Sequence, residues 1–221
     1  MRLKYHKGEE IRFTSQLDLI KIFERAFRRA GIKLVYSQGF HPHPKIAYSP
    51  PLSMGYTSDA EYLDVQYFHE RGKELIPALN RTLPAGLTIV KARTLFGKSR
   101  SLASIINRAL YEISLYKSFD QSYLNQKANE FLNREQIVVD RIRGEAVLQV
   151  DIRPFIESIR IDQQTGKILI TLIFDQGKTA RISEVLQQML NLTADEIALS
   201  RVHRSDLFIQ LENMRINPLE V

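Results

Sequence analysis

The stretch YSQGFHPHPKIAYSPPL, residues 36–52, gathers two of the chain's five histidines, four of its eight prolines, two tyrosines, a glycine and a lysine. Pro42 and Pro44 fix φ, remove two backbone donors and push His41 and His43 into extended conformations. Two histidines at i and i+2 of an extended segment share a side, as metal ligands must. A third ligand would have to come from His6, His69, Glu61 or Asp64, all distant in sequence. Metal binding is therefore less expected than a role in which the histidines hydrogen-bond a phosphate, a base or a carboxylate. Equally open is that they stack on proline and tyrosine and only stabilise the loop. Histidine also suits proton transfer near neutral pH. No metal and no cofactor is assigned, and whether the chain is an enzyme is left open.

Around this loop lie aromatic rings (Tyr36, Phe40, Tyr48, Tyr56) and cations (Arg12, Arg25, Arg28, Arg29, Lys45). Rings beside basic groups suit stacking on unpaired bases, and Arg and Lys suit phosphates. Tyr36, at a strand end, reads first as packing. The candidate ligand-binding set is Arg12, Arg25, Arg28, Arg29, Tyr36, Gln38, Phe40, His41, His43 and Lys45. Ser58, Asp59 and Glu61 read as turn and cap.

Charge points the same way. The chain of 221 residues has a net charge of +6, and residues 1–50 hold ten Lys/Arg against four Asp/Glu. Leu75 to Tyr111 contains six basic residues and no acid. Such concentration suggests an anionic partner. With no cysteine, this chain has no disulfide, thiolate zinc site, cysteine nucleophile or cysteine-ligated iron–sulfur cluster. No G-x-x-x-x-G-K-[ST] or G-x-G-x-x-G occurs, which argues against NTP hydrolysis and dinucleotide binding. No nucleophile elbow occurs either. No apolar run approaches the roughly 18 residues of a membrane span. The N-terminus lacks the apolar stretch of a secretory signal, so the expectation is a cytoplasmic protein with no membrane partner.

The elements that must position these residues read as strand 11–15, helix 16–30, strand 32–37, the loop, strand 60–68, helix 72–83 and strand 87–95. Ser15 with Asp18 is a helix-start signature and Gly31 a stop. Leu17, Ile20, Phe23, Phe27 and Ala30 form the expected buried stripe. Lys21, Arg25, Arg28 and Arg29 share another side as a basic ridge. The order βαββαβ is the ferredoxin-like pattern. After a basic, turn-rich linker at 96–104, it returns more loosely: strand 109–116, helix 121–133, extended 136–142 and 147–162, strand 167–174, helix 182–192, strand 198–211. The predicted fold is α+β, two tandem ferredoxin-like units, at 1–96 and 105–221.

The pieces RFTSQLDL, ERAFRRAG, YSQGFHPHPK, PPL and AEYLDV, within residues 12–65, resemble the bacterial radical-SAM-linked protein family, a family of unknown function fused to or encoded beside radical SAM proteins. The resemblance is tight over about the first 65 residues and beyond them is one of length and pattern. It implies a separate radical SAM partner, which would carry the cluster that this cysteine-free chain lacks. It assigns no residue roles. The expected function is an accessory or substrate-binding protein that works with that enzyme and binds RNA for modification. The alternatives are a subunit that docks only on the radical SAM partner, or a histidine-dependent RNA-processing or RNA-modifying enzyme. Tandem units of this shape also occur in RNA-processing nucleases and pseudouridine synthases, but neither the glycine-rich signature of CRISPR RNA endonucleases nor a convincing catalytic Asp motif is present.

Overall fold

The computed structural model describes residues 1–68, 74–97 and 100–221. Along the chain the elements are β1 (Arg2–Lys7), α1 (Gln16–Arg29), β2 (Ile46–Tyr48), β3 (Thr57–Val65), α2 (Leu75–Asn80), β4 (Leu87–Arg93), α3 (Leu102–Ile105), β5 (Arg108–Ser114), α4 (Gln121–Leu132), β6 (Val138–Arg143), β7 (Ala146–Asp151), β8 (Ile156–Ile161), β9 (Ile168–Ile173), α5 (Ile182–Leu190), α6 (Ala194–Leu199), β10 (Arg201–Leu211) and β11 (Met214–Ile216). The fold is mixed α and β, with antiparallel pairing between the strands whose registers are described. Among the described residues no helix is long and apolar enough to cross a membrane.

Two compact units form, Met1–Ile106 with Asp206–Val221, and Asn107–Ser205. β10 thus contributes its last residues to the first unit and its first residues to the second. The first unit carries 18 Lys/Arg against 12 Asp/Glu, and the second 13 of each. The whole net charge of the chain therefore sits on the first unit.

In the first unit β1 lies between β4 and β3, and β2 pairs with the end of β3. α1 packs on this sheet because Leu19, Phe23, Ala26 and Phe27 meet Leu3, Tyr5, Leu63 and Val65 in one buried cluster. Phe23 and Phe27 are fully buried, and burying each is worth about 1.5–3 kcal/mol. Leu17, expected in the stripe, is 71% exposed. At 3.6 residues per turn it lies about 120° from Phe23, whereas Leu19, Ala26 and Phe27 fall within about 60° of it.

The first strand also differs from expectation. Residues 11–15 are not a strand: Glu9–Ile11 form a 3-10 turn that leads into the cap of α1, and β1 is Arg2–Lys7. The alternation that matters is Leu3, Tyr5, Lys7, all buried. Residues 32–37 form isolated bridges instead of a strand. Of the helix expected at 72–83, α2 covers Leu75–Asn80; residues 72 and 73, like Lys98 and Ser99 of the linker, lie outside the described residues.

In the second unit the order is β10-β5-β9-β8. The stretch 147–162, read as one extended run, is broken by a 3-10 turn at Arg153–Phe155. Pro154, at the start of that turn, cannot donate to a ladder. β7 instead pairs with β6 as a separate hairpin. The sequence reading also missed α6, whose Thr193 and Glu196 form a capping box. Glu196 accepts from the Thr193 N–H and the Tyr116 hydroxyl, with Lys117 Nζ at 3.4 Å. The Tyr116 hydrogen bond foremost holds its carboxyl down at about 2. A carboxyl whose pKa is lowered by folding stabilises the fold above its unfolded value, about 4.5, and loses that contribution as pH falls toward 2. Glu196→Gln is thus expected to flatten the fall of Tm between these pH values. Identical Tm profiles for the two proteins in a calorimetric pH series would contradict this.

Candidate functional site

α1 places the basic ridge by its two ends. At the start, the Asp18 N–H donates to Ser15 Oγ at 3.2 Å, satisfying an orphan donor. At the end, the Ile32 N–H reaches Phe27 O at 3.0 Å and the Gly31 N–H reaches Arg28 O at 3.0 Å, with Gly31 at φ +65. This is a Schellman turn, and the left-handed residue it needs is the reason for the glycine. Arg28 and Arg29 in the last turn complement the helix dipole. The turn sends the chain back along α1, so that Lys33 and Tyr36 arrive beside the ridge.

The Pro/His loop is closed by backbone pairing. Tyr36 bridges Pro44, the Ser37 N–H donates to His43 O at 2.8 Å, and the Lys45 N–H donates to Val35 O at 2.8 Å. Between two prolines, His43 keeps one N–H, which goes to Ser37 Oγ at 3.0 Å. The base of the loop is tied in turn to β3's continuation through Val35 N–H to Gln66 O and Gln66 N–H to Lys45 O. Two prolines and this pairing leave little freedom to lose on binding.

Helix and loop face each other across a cleft of ≈ 840 Å³. Lys21, Arg25 and Arg28 of α1 line it together with Lys33, Tyr36, Pro42, His43 and Pro44 of the segment that follows and the loop, and with the buried Ile32 and Leu34. Glu24 is the one acid among the described lining residues. Behind α1, Tyr48 packs on Phe23 with ring centroids 6.2 Å apart. Burial, with the Glu24 charge second, pushes its hydroxyl well above the usual phenol range. Tyr48 is therefore a neutral packing group.

Of the ten candidates, Arg25, Arg28, Tyr36 and His43 come together here. Tyr36, read first as packing, is 50% exposed and lines the cleft. His41 does not share the cleft with His43: residues 38–41 bend, which breaks the two-residue alternation that would have aligned them. Gln38, Phe40, His41 and Lys45 are exposed around the loop, and Phe40 at its tip is 102% exposed. Arg29 turns the other way, donating to Thr82 O at 2.7 Å. Arg12 lies elsewhere, paired with Glu9 at 2.8 Å and stacked over Phe13 at 4.6 Å. Sequence reasoning kept Lys21 in the ridge but outside the site, and it missed Lys33. The Gly31 stop was the signal, since a chain reversing there must bring its next residues back past the ridge.

The residues considered as a third metal ligand are engaged elsewhere. His6 Nδ1 lies 2.6 Å from Asp59, Asp64 is gripped by Arg2, and Glu61 is buried beside Ser49. His69 lies outside the described residues. Among those described, no three of His, Asp and Glu gather as a metal site.

The chain is similar in structure to a chain of the "Crystal Structure of a Cbf5-Nop10-Gar1 Complex", at 8% identity and a TM-score of 0.44, over 93% of this chain and 48% of that one. It thus spans about half the length of that chain. No curated protein matches it. Residues 1–187 match the family described as "Uncharacterized protein conserved in bacteria (DUF2344)", and the chain belongs to that family.

Proposed function

We propose that this protein is an accessory RNA-binding protein, which holds RNA on its first unit for modification by a separate radical SAM enzyme. The observation that carries the RNA-binding part is the cleft, where four cations, Lys21, Arg25, Arg28 and Lys33, meet one acid beside an exposed ring and an imidazole on a stiff loop. Cations on a helix ridge bind phosphates, and a ring held half-exposed beside them offers a stacking face. The restriction of net charge to this unit supports the same reading. The radical SAM partner rests on the sequence resemblance.

We also propose that the fold is two tandem ferredoxin-like units. This arrangement is supported by β4-β1-β3-β2 in the first unit and β10-β5-β9-β8 in the second; the first follows strand-helix-strand-strand-helix-strand, and the second does so once the β6–β7 hairpin and α6 are set aside as additions. A second reading, docking on the partner protein alone, is favoured by the apolar rings left in solvent at Phe40 and Phe13, 102% and 68% exposed.

Filter binding of total tRNA and ribosomal RNA across a salt series tests the proposal. Tight binding that weakens steeply with salt is the expected result. Absence of binding, with the radical SAM protein still co-purifying after nuclease treatment, would replace it with the docking reading.

A further inference from the structure

We infer that the cleft takes an unpaired strand of a few nucleotides, its phosphates on Lys21, Arg25 and Arg28 and one base against Tyr36, and that it excludes duplex. The inference rests on the RNA reading above and narrows its ligand.

Size comes first. At ≈ 840 Å³ the cleft falls in the range of small-ligand sites, about 300–1,000 Å³. A cleft of this volume takes a few unpaired nucleotides, whereas duplex RNA, two wound strands with their bases stacked inside, would have to lie across its mouth. Spacing comes second. Lys21, Arg25 and Arg28 recur at i, i+4 and i+7, so they rise about 6 Å and then about 4.5 Å along one side of α1. This is a single row of cations, which follows one backbone, whereas a duplex binder needs cations for two. Third is the loop. Tyr36 is 50% exposed and lines the cleft beside His43, on a segment pinned by the Tyr36–Pro44 bridge and the Ser37–His43 hydrogen bonds. A ring held open in this way stacks on a base whose face is free, and in a duplex that face is covered by its neighbours. Rigidity of the wall lowers the ordering cost of the contact.

The test is fluorescence anisotropy with a labelled oligoribonucleotide of about eight nucleotides, alone and annealed to its complement, against the wild type, Tyr36→Leu and Tyr36→Phe. The expected result is preference for the unpaired probe, a loss of about five- to hundredfold for Tyr36→Leu, and near-wild-type binding for Tyr36→Phe. Circular dichroism of both variants confirms that they fold. Equal affinity for duplex, or indifference to Tyr36→Leu, overturns the inference and leaves RNA binding standing. Binding of neither probe removes the RNA reading and this inference with it.

Discussion

Replacing Arg2 with methionine is expected to destabilise the first unit by about 3–5 kcal/mol. The Arg2 side chain is fully buried and Asp64's is 17% exposed. Nε and Nη2 hold both oxygens of Asp64 at 2.8 and 2.9 Å, while Nη1 donates to Pro218 O at 2.6 Å and Val221 O at 3.1 Å. One guanidinium thus ties β1, β3 and the segment at 218–221 together. Methionine fills the space of the stem but leaves a carboxylate and two carbonyls without their donor, and that is where the cost arises. Arg2→Lys keeps the charge without the planar fork, and its expected loss is intermediate. Urea unfolding of the three proteins measures both. A loss below about 1 kcal/mol for Arg2→Met, the value of an exposed ion pair, would contradict this account of the anchor.

The second large effect is on binding. Reversing Arg25 and Arg28 to glutamate is expected to weaken RNA at least about tenfold and to lower the salt slope by about 1.4, since each phosphate contact with a single strand contributes about 0.7. Both side chains are exposed, so stability is expected to stay within about 0.5 kcal/mol of the wild type. The separation of the two effects matters: Arg2 holds the fold with a buried charge, whereas the ridge leaves its charges in water.

Much of α1 was legible in the sequence because its signals are local. Ser15 caps through its own hydroxyl, Gly31 supplies a left-handed residue, and a helix period sets the ridge. The stiffness of the loop was legible for the same reason, since Pro42 and Pro44 act on their own backbone. What the sequence hid depends on distant neighbours. β1 looks polar in the sequence, yet Lys7 is buried, its ammonium donating to Arg12 O and Thr14 O. Lys33 joins the cleft through the path of the chain after Gly31. Arg12 and Arg29 looked like ligand contacts by charge, yet Glu9 and Thr82 take them elsewhere. The β6–β7 hairpin and α6 carried readable cues, Pro154 and the Thr193–Glu196 box, that the long extended runs overshadowed.

The most direct test of the cleft as the RNA site is the salt dependence of RNA binding by the wild type beside Arg25→Glu/Arg28→Glu. The account predicts a steep wild-type slope that the variant loses in large part, together with its affinity. Equal slopes and equal affinities would contradict it, and would move the search for this protein's ligand away from α1 and its loop.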